Sequence, residues 1–218
     1  MNRRPLRAVI FDMDGVLTDT EPAHFAATNA VLAELNREPL TWDQYAPYIG
    51  TAESAFWRFL EEEIGLKENV SHFAQRYGEE VLRLLEQRVE ALPGARDVVT
   101  SVRDIGLKSA LASSSRREWV AATLKGAELE DLFEVVISGE MVANGKPAPD
   151  IFLLAAEKLG VPPQTCLVLE DSPRGIQAAK TAGMLAIGVR SEYEMDLTPA
   201  DEVIQDIAAF DVTHYLAS

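Results

Sequence analysis

The chain begins its patterned part with a short apolar run, Ala8-Val-Ile-Phe11, that stops abruptly at Asp12-Met13-Asp14-Gly15. An apolar run closed by acids and a glycine reads as a buried strand opening into a loop. After Asp19 the period changes. Apolar residues recur at three- and four-residue spacing over roughly Ala23–Leu35, Thr41–Ile49, Ala52–Ile64 and Val70–Val89, which predicts a block of helices. Pro93-Gly94 ends that block, and short β-rich runs then alternate with helices. Strands are expected at Leu107–Ala112, Val135–Ser138, Cys166–Leu169 and Leu185–Val189, with a weaker one near Val203. Helices are expected to start at Arg116, Asp150 and Pro173. The tail from Asp206, with Ile207, Phe210, Val212, Tyr215 and Leu216, reads as a short docking helix.

Strands alternating with helices predict an α/β fold, a doubly wound parallel, Rossmann-like sheet. The first strand precedes the helical block and its partners follow it, so the block is most simply an insertion. The expected organisation is a catalytic core of residues 1–19 and 92–218 and a helical cap of residues 20–91 lying over the strand ends.

Composition narrows the function classes. With 218 residues, 47% of them apolar and 25% charged, the chain can bury a full core. The apolar run after the basic Met-Asn-Arg-Arg start is too short for a signal peptide, and no run reaches membrane-spanning length, so a cytoplasmic location is the expectation. The lone cysteine, Cys166, lies in an apolar run and reads as a buried strand residue. A net charge of −15 argues against nucleic-acid or anionic-membrane partners, and any anionic substrate must be met by local cations. Oligomeric state is left open, with a monomer compatible.

The acidic pair Asp12/Asp14 at a strand tip can supply a nucleophile, a metal ligand and an acid/base catalyst. Two blander readings exist. A calcium loop also begins D-x-D, but it places glycine sixth and sits between helices, whereas Gly15 is fourth and follows a strand. An acidic loop that merely solvates a strand end is the other. Three later loops at strand ends weigh against both. Ser113-Ser114-Ser115-Arg116-Arg117 offers hydroxyls and free helix N–H groups to an anion. Gly145-Lys146-Pro147-Ala148-Pro149-Asp150 holds a lysine between glycine and proline. Glu170-Asp171-Ser172-Pro173 adds two carboxylates, which with Asp12 make an oxygen donor set for Mg²⁺.

On these motifs, taken in order, the chain resembles the haloacid dehalogenase superfamily, and within it the sugar-phosphate phosphatase and β-phosphoglucomutase-like branch with a small helical cap. The resemblance implies Asp12 as nucleophile and Asp14 as acid/base. It implies Ser113 and Lys146 as phosphate-binding catalytic groups, and a metal site of Asp12, the Asp14 carbonyl, Glu170 and Asp171. It also implies substrate or phosphate contacts at Met13, Gly15, Thr20, His24, Glu53, Ser114, Ser115 and Arg116. The expected activity is Mg²⁺-dependent hydrolysis of small sugar or polyol monophosphates through an aspartyl phosphate. A β-phosphoglucomutase-like mutase or a sugar bisphosphate phosphatase is the alternative within enzymes. A receiver-like phospho-aspartate signalling module is the alternative outside them. One departure from the mutase pattern stands in the helical block: in Tyr48-Ile49-Gly50-Thr51-Ala52-Glu53, a glutamate occupies the place where a mutase arginine is expected. His72 and His214 lie away from every motif and read as structural.

Overall fold

The computed structural model describes residues 5–49, 53–66, 70–87 and 89–216. The chain divides into two compact units, Met1–Asp19 with Val89–Ser218, and Thr20–Arg88. In the first unit, β1 (Ala8–Phe11) is wholly buried, as its four apolar residues require. Among its described residues the second unit forms helices and no strand: α1 (Glu21–Glu34), α2 (Trp42–Tyr45), α3 (Glu53–Glu62) and α4 (Val70–Leu85). Val31, Leu32, Leu40, Leu60, Leu66 and Phe73 are buried together there, giving this unit an apolar core of its own. The helix expected over Thr41–Ile49 is split. Regular helix ends at Tyr45 and a tighter turn covers Ala46–Tyr48, because Pro47 has no N–H to continue the ladder.

The chain then returns to the first unit. The segment after Pro93-Gly94, to which the hydrophobic pattern above assigns no element, forms α5 (Ala95–Asp104). Its buried Ala95, Val98, Val99 and Val102 make one apolar stripe against the sheet, and that burial overrides the modest helix propensity of three valines. There follow β2 (Lys108–Ala112), α6 (Arg117–Gly126), β3 (Val135–Ile137), α7 (Asp150–Leu159), β4 (Cys166–Glu170), α8 (Pro173–Thr181), β5 (Leu185–Val189) and β6 (Glu202–Ile204). The tail is not a continuous helix. Asp206 and Asp211 each accept a backbone N–H two or three residues on, at 2.9 Å, and so start separate short turns at Ile207–Ala209 and Val212–Tyr215.

All six strands are parallel, in the order β3-β2-β1-β4-β5-β6. β1 is therefore central, flanked by β2 on one side and β4 on the other. The chain winds outward from β1 through β2 and β3, then crosses back to β4. That reversal is a topological switch point, where the loops after neighbouring strands diverge and leave a crevice. Register decides what meets there. Phe11 pairs with Leu111 and with Leu169, so Asp12, Ala112 and Glu170 stand side by side at the strand ends. Among the described residues no helix is long and apolar enough to cross a membrane.

Candidate active site

The loop after β1 folds back tightly. The Asp12 N–H donates to the Leu169 carbonyl at 2.9 Å, extending the β1–β4 ladder by one residue, and the Gly15 N–H donates to Thr18 at 2.7 Å. Gly15 has a left-handed φ of 75°, and a methyl group on its α-carbon would fall 1.9 Å from Asp171 Oδ2. Glycine is thus required both by the turn and by the carboxylate packed against it.

Lys146 lies at the centre. Its ammonium donates to Asp12 Oδ1 at 2.5 Å, to Glu170 Oε2 at 2.7 Å and to the Ala112 carbonyl at 3.3 Å, which uses all three of its protons. Asp12, Lys146 and Glu170 are 7%, 8% and 1% exposed, so water does little to screen them. Asp12, Glu170 and Asp171 bring one carboxylate oxygen each within 4.8 Å of one another. Burial and the nearby Glu170 push the Asp12 carboxyl up to about 8, against the pull of Lys146. Burial, Glu170 and Asp12 likewise hold Asp171 well above the usual carboxylate range. Burial alone would lower the Lys146 ammonium, but the two carboxylates it touches outweigh that and raise it. The cluster gathers more carboxyl groups than one ammonium balances once they ionise, and its donors are all oxygen, the set a hard dication such as Mg²⁺ takes. The residues present fit that ion.

On the other flank, β2 delivers Ser113, fully buried, whose Oγ accepts the Ser115 N–H at 3.1 Å. The Ser115 hydroxyl donates to Asp14 Oδ2 at 3.3 Å, so the loop after β2 reaches the loop after β1. Met13 is buried beside them, and Ser114 is exposed. Arg116 lays its guanidinium over the Trp119 ring, 4.9 Å from the centroid, and the Arg117 N–H donates to the Glu140 carboxylate at 2.9 Å. Asp12, Asp14, Ser113, Ser115, Lys146, Glu170 and Asp171 are thereby assembled from segments far apart in the chain. Thr20, His24 and Glu53 belong to the helical unit. There His24 Nδ1 and the Tyr77 hydroxyl share a hydrogen bond of 2.7 Å. Gly50, Thr51 and Ala52 lie outside the described residues, as does the side chain of Glu53. His72 and His214 are exposed.

Several supporting residues were not singled out by the sequence pattern. Glu170 Oε1 accepts the Ser172 hydroxyl at 2.8 Å and its N–H at 3.1 Å, while Ser172 Oγ also takes the Gly175 N–H and caps α8. Ser before Pro is a legible helix-start signature, but it does not announce the bond to Glu170. Arg174 donates its guanidinium to the Lys146 carbonyl, and the Ser191 hydroxyl, which donates to the Tyr193 carbonyl at 3.5 Å, lies near enough to Asp171 to favour its charged form. Neither had a local signal.

The chain matches the family model described as haloacid dehalogenase-like hydrolase over residues 9–189. It is 39% identical over 179 residues to a phosphorylated carbohydrates phosphatase of Thermotoga maritima, covering 82% of each chain. It is 38% identical over 185 residues to the fructose-1-phosphate phosphatase YqaB of Escherichia coli, covering 84% of this chain and 95% of that one. Among solved structures, β-phosphoglucomutase from Clostridium difficile superposes with a TM-score of 0.81 at 26% identity, over 96% of this chain and 95% of that one. The match across most of the chain, on a parallel sheet whose central strand ends in this acidic loop, makes the protein a member of the haloacid dehalogenase-like hydrolase family.

Proposed function

We propose that the protein is a phosphoric monoester hydrolase that takes small sugar or polyol monophosphates and passes the phosphoryl group through Asp12 to water. The observation that carries this reading is the Lys146 ammonium held between the Asp12 and Glu170 carboxylates, with Asp171 alongside and Asp14 on the same loop. Family membership supports the reaction class, and the substrates named for the two phosphatase relatives support the substrate class.

In the proposed mechanism an Asp12 carboxylate oxygen attacks phosphorus, the bond from phosphorus to the sugar oxygen breaks, and Asp14 gives that oxygen a proton. Asp14 then takes a proton from water, whose oxygen attacks phosphorus. The P–O bond to Asp12 breaks, and inorganic phosphate leaves with Asp12 restored. Lys146, the Ser113 hydroxyl and the N–H groups following Asp12, beginning at Met13, receive the equatorial oxygens where transition-state charge spreads. Asp12, Asp171 and the Asp14 carbonyl would hold Mg²⁺, with Glu170 ordering its waters. What the bound ion supplies is neutralisation of the repulsion between carboxylate nucleophile and phosphate. The helical unit acts as the substrate-selecting cap in this reading, with Thr20, His24 and Glu53 as its contacts, and the protein works in the cytoplasm.

The likeness to a β-phosphoglucomutase structure favours one second reading, return of the phosphoryl group to a sugar. Glu53 speaks against it, since a carboxylate repels a second phosphate. The receiver-like signalling alternative is disfavoured by family membership and by Asp14, a proton-transfer group such modules do not need. The test is a phosphate-release screen over a panel of sugar phosphates with and without Mg²⁺, beside chromatography for isomerised sugar phosphates. Metal-dependent phosphate release supports the hydrolase. Isomerisation faster than release replaces it with the mutase.

A further inference from the structure

The turn that presents Asp14 is closed on itself. Leu17 and Thr18 donate their N–H groups to the Met13 carbonyl at 2.9 and 3.1 Å, and Thr18 forms an antiparallel bridge with Ala91. The end of that turn, Asp19, is gripped from a distant part of the same unit. The Tyr193 hydroxyl donates to the Asp19 carboxylate, 3.1 Å from Oδ1 and 3.2 Å from Oδ2, across 174 residues of sequence. A hydrogen bond to a carboxylate is stronger than one between neutral groups. A cavity of about 330 Å³ opens on that flank, and Gly15, Asp19, Ser191 and Tyr193 are among its lining. The turn and the segment after β5 thus border open space, and the hydroxyl–carboxylate bond ties the two together beside it.

The geometry points to Tyr193 as a positioning residue for Asp14: by holding Asp19 it fixes the exit of the turn, and with it the direction in which the Asp14 carboxyl is presented. This rests on the acid/base role proposed for Asp14 above. In this role Tyr193 acts through Asp19 and not on the substrate itself. Its effect is confined to proton transfer at the leaving group, and that confinement separates it from a merely structural residue.

The experiment compares single-turnover phosphorylation by wild type, Tyr193→Phe, Asp19→Asn and Asp14→Asn, with Mg²⁺ present. The two substrates are the hexose phosphate turned over best in the panel and nitrophenyl phosphate, whose leaving group needs no proton. Tyr193→Phe keeps the ring and should fold; thermal melting checks this. It should slow the hexose phosphate reaction about tenfold, while nitrophenyl phosphate changes by no more than about twofold. Asp19→Asn keeps an acceptor oxygen and should fall between Tyr193→Phe and wild type. Asp14→Asn should show the same selectivity, more strongly. Equal defects with both substrates in Tyr193→Phe, or none, would overturn the assignment even if Asp14→Asn behaves as stated. Equal defects in Asp14→Asn would remove the role of Asp14 and this inference with it.

Discussion

Gly175 is set directly against Glu170: a methyl group on its α-carbon would lie 1.8 Å from Glu170 Oε2 and 1.9 Å from the carboxyl carbon. Glu170 has nowhere to go, because Lys146 holds Oε2 and Ser172 holds Oε1. Gly175 stands in the first turn of α8, where alanine would otherwise be preferred by roughly 0.5–1 kcal/mol. Gly175→Ala should therefore lower both the melting temperature and phosphate release, opposite to what helix propensity dictates. A variant that is more stable and fully active would refute this placement of Glu170.

Asp12→Asn should abolish turnover, since an amide is a poor nucleophile toward phosphorus and carries no charge for a dication. Its effect on the metal-free fold runs the other way. Asp12 is crowded by Glu170, Asp171 and Asp14, so removing its charge should leave stability unchanged or raised. Melting in a chelator and phosphate release with Mg²⁺ test the two halves separately. Residual kcat above a few per cent of wild type would take the nucleophile role from Asp12.

Lys146→Ala should cost about 10²–10³-fold in kcat/KM, the scale of losing one preorganised charge-stabilising group. Lys146→Arg should rescue poorly, because a planar fork replaces a compact ammonium that already spends its three protons. Stability in chelator should depend on pH. A carboxyl whose pKa is higher folded than unfolded costs stability as pH rises above the unfolded value, and the cost grows until the folded value is passed. Asp12 is raised to about 8 even with Lys146 in place. Removing Lys146 takes away the one group that pulls Asp12 down, so the Lys146→Ala deficit should stay level between pH 5 and 7, where folded Asp12 keeps its proton in both proteins, and grow above pH 8, where only wild type ionises Asp12. Denaturant titrations giving the same deficit at pH 7 and pH 9.5 would contradict this.

Cys166 should resist thiol reagents in the native state. It is 2% exposed at the start of β4, and burial pushes its thiol up to about 12, so almost no thiolate exists at neutral pH. Labelling by a disulfide reagent should track global unfolding in denaturant. Rapid labelling of native protein at pH 8 would show that β4 opens locally.

How far the sequence disclosed all this depends on which signal each part relies on. The strands were readable because a parallel sheet buries both faces, leaving uninterrupted apolar runs such as Cys166-Leu-Val-Leu. α5 escaped because its stripe of valines carries a β-like composition, and only the sheet beneath it makes a helix the better burial. The tail broke into turns because two aspartates cap locally. At the site, Asp12, Lys146 and Glu170 were legible as motif residues, since each sits where an apolar run ends or a glycine and proline bracket it. Their mutual geometry was not. Arg174, Ser191 and Tyr193 act through side-chain interactions with residues distant in sequence, and no local pattern encodes such an interaction.

The antiparallel bridge between Thr18 and Ala91, reinforced by the Leu92 N–H on the Leu17 carbonyl at 2.8 Å, brings together the two points where the chain departs for the helical unit and comes back. The sheet unit is thereby already sutured at the excision point. A turn of roughly two to five residues is the usual length for joining antiparallel neighbours, so the whole of Thr20–Arg88 can in principle be replaced by a hairpin connection, or by a different helical module, without opening a gap in the chain. Asp12, Glu170, Asp171 and Lys146 all lie on the sutured side. Under the function proposed above, chemistry and selectivity would then be separate cassettes, and exchanging the helical one is the way to reach new substrate ranges while the other stays untouched.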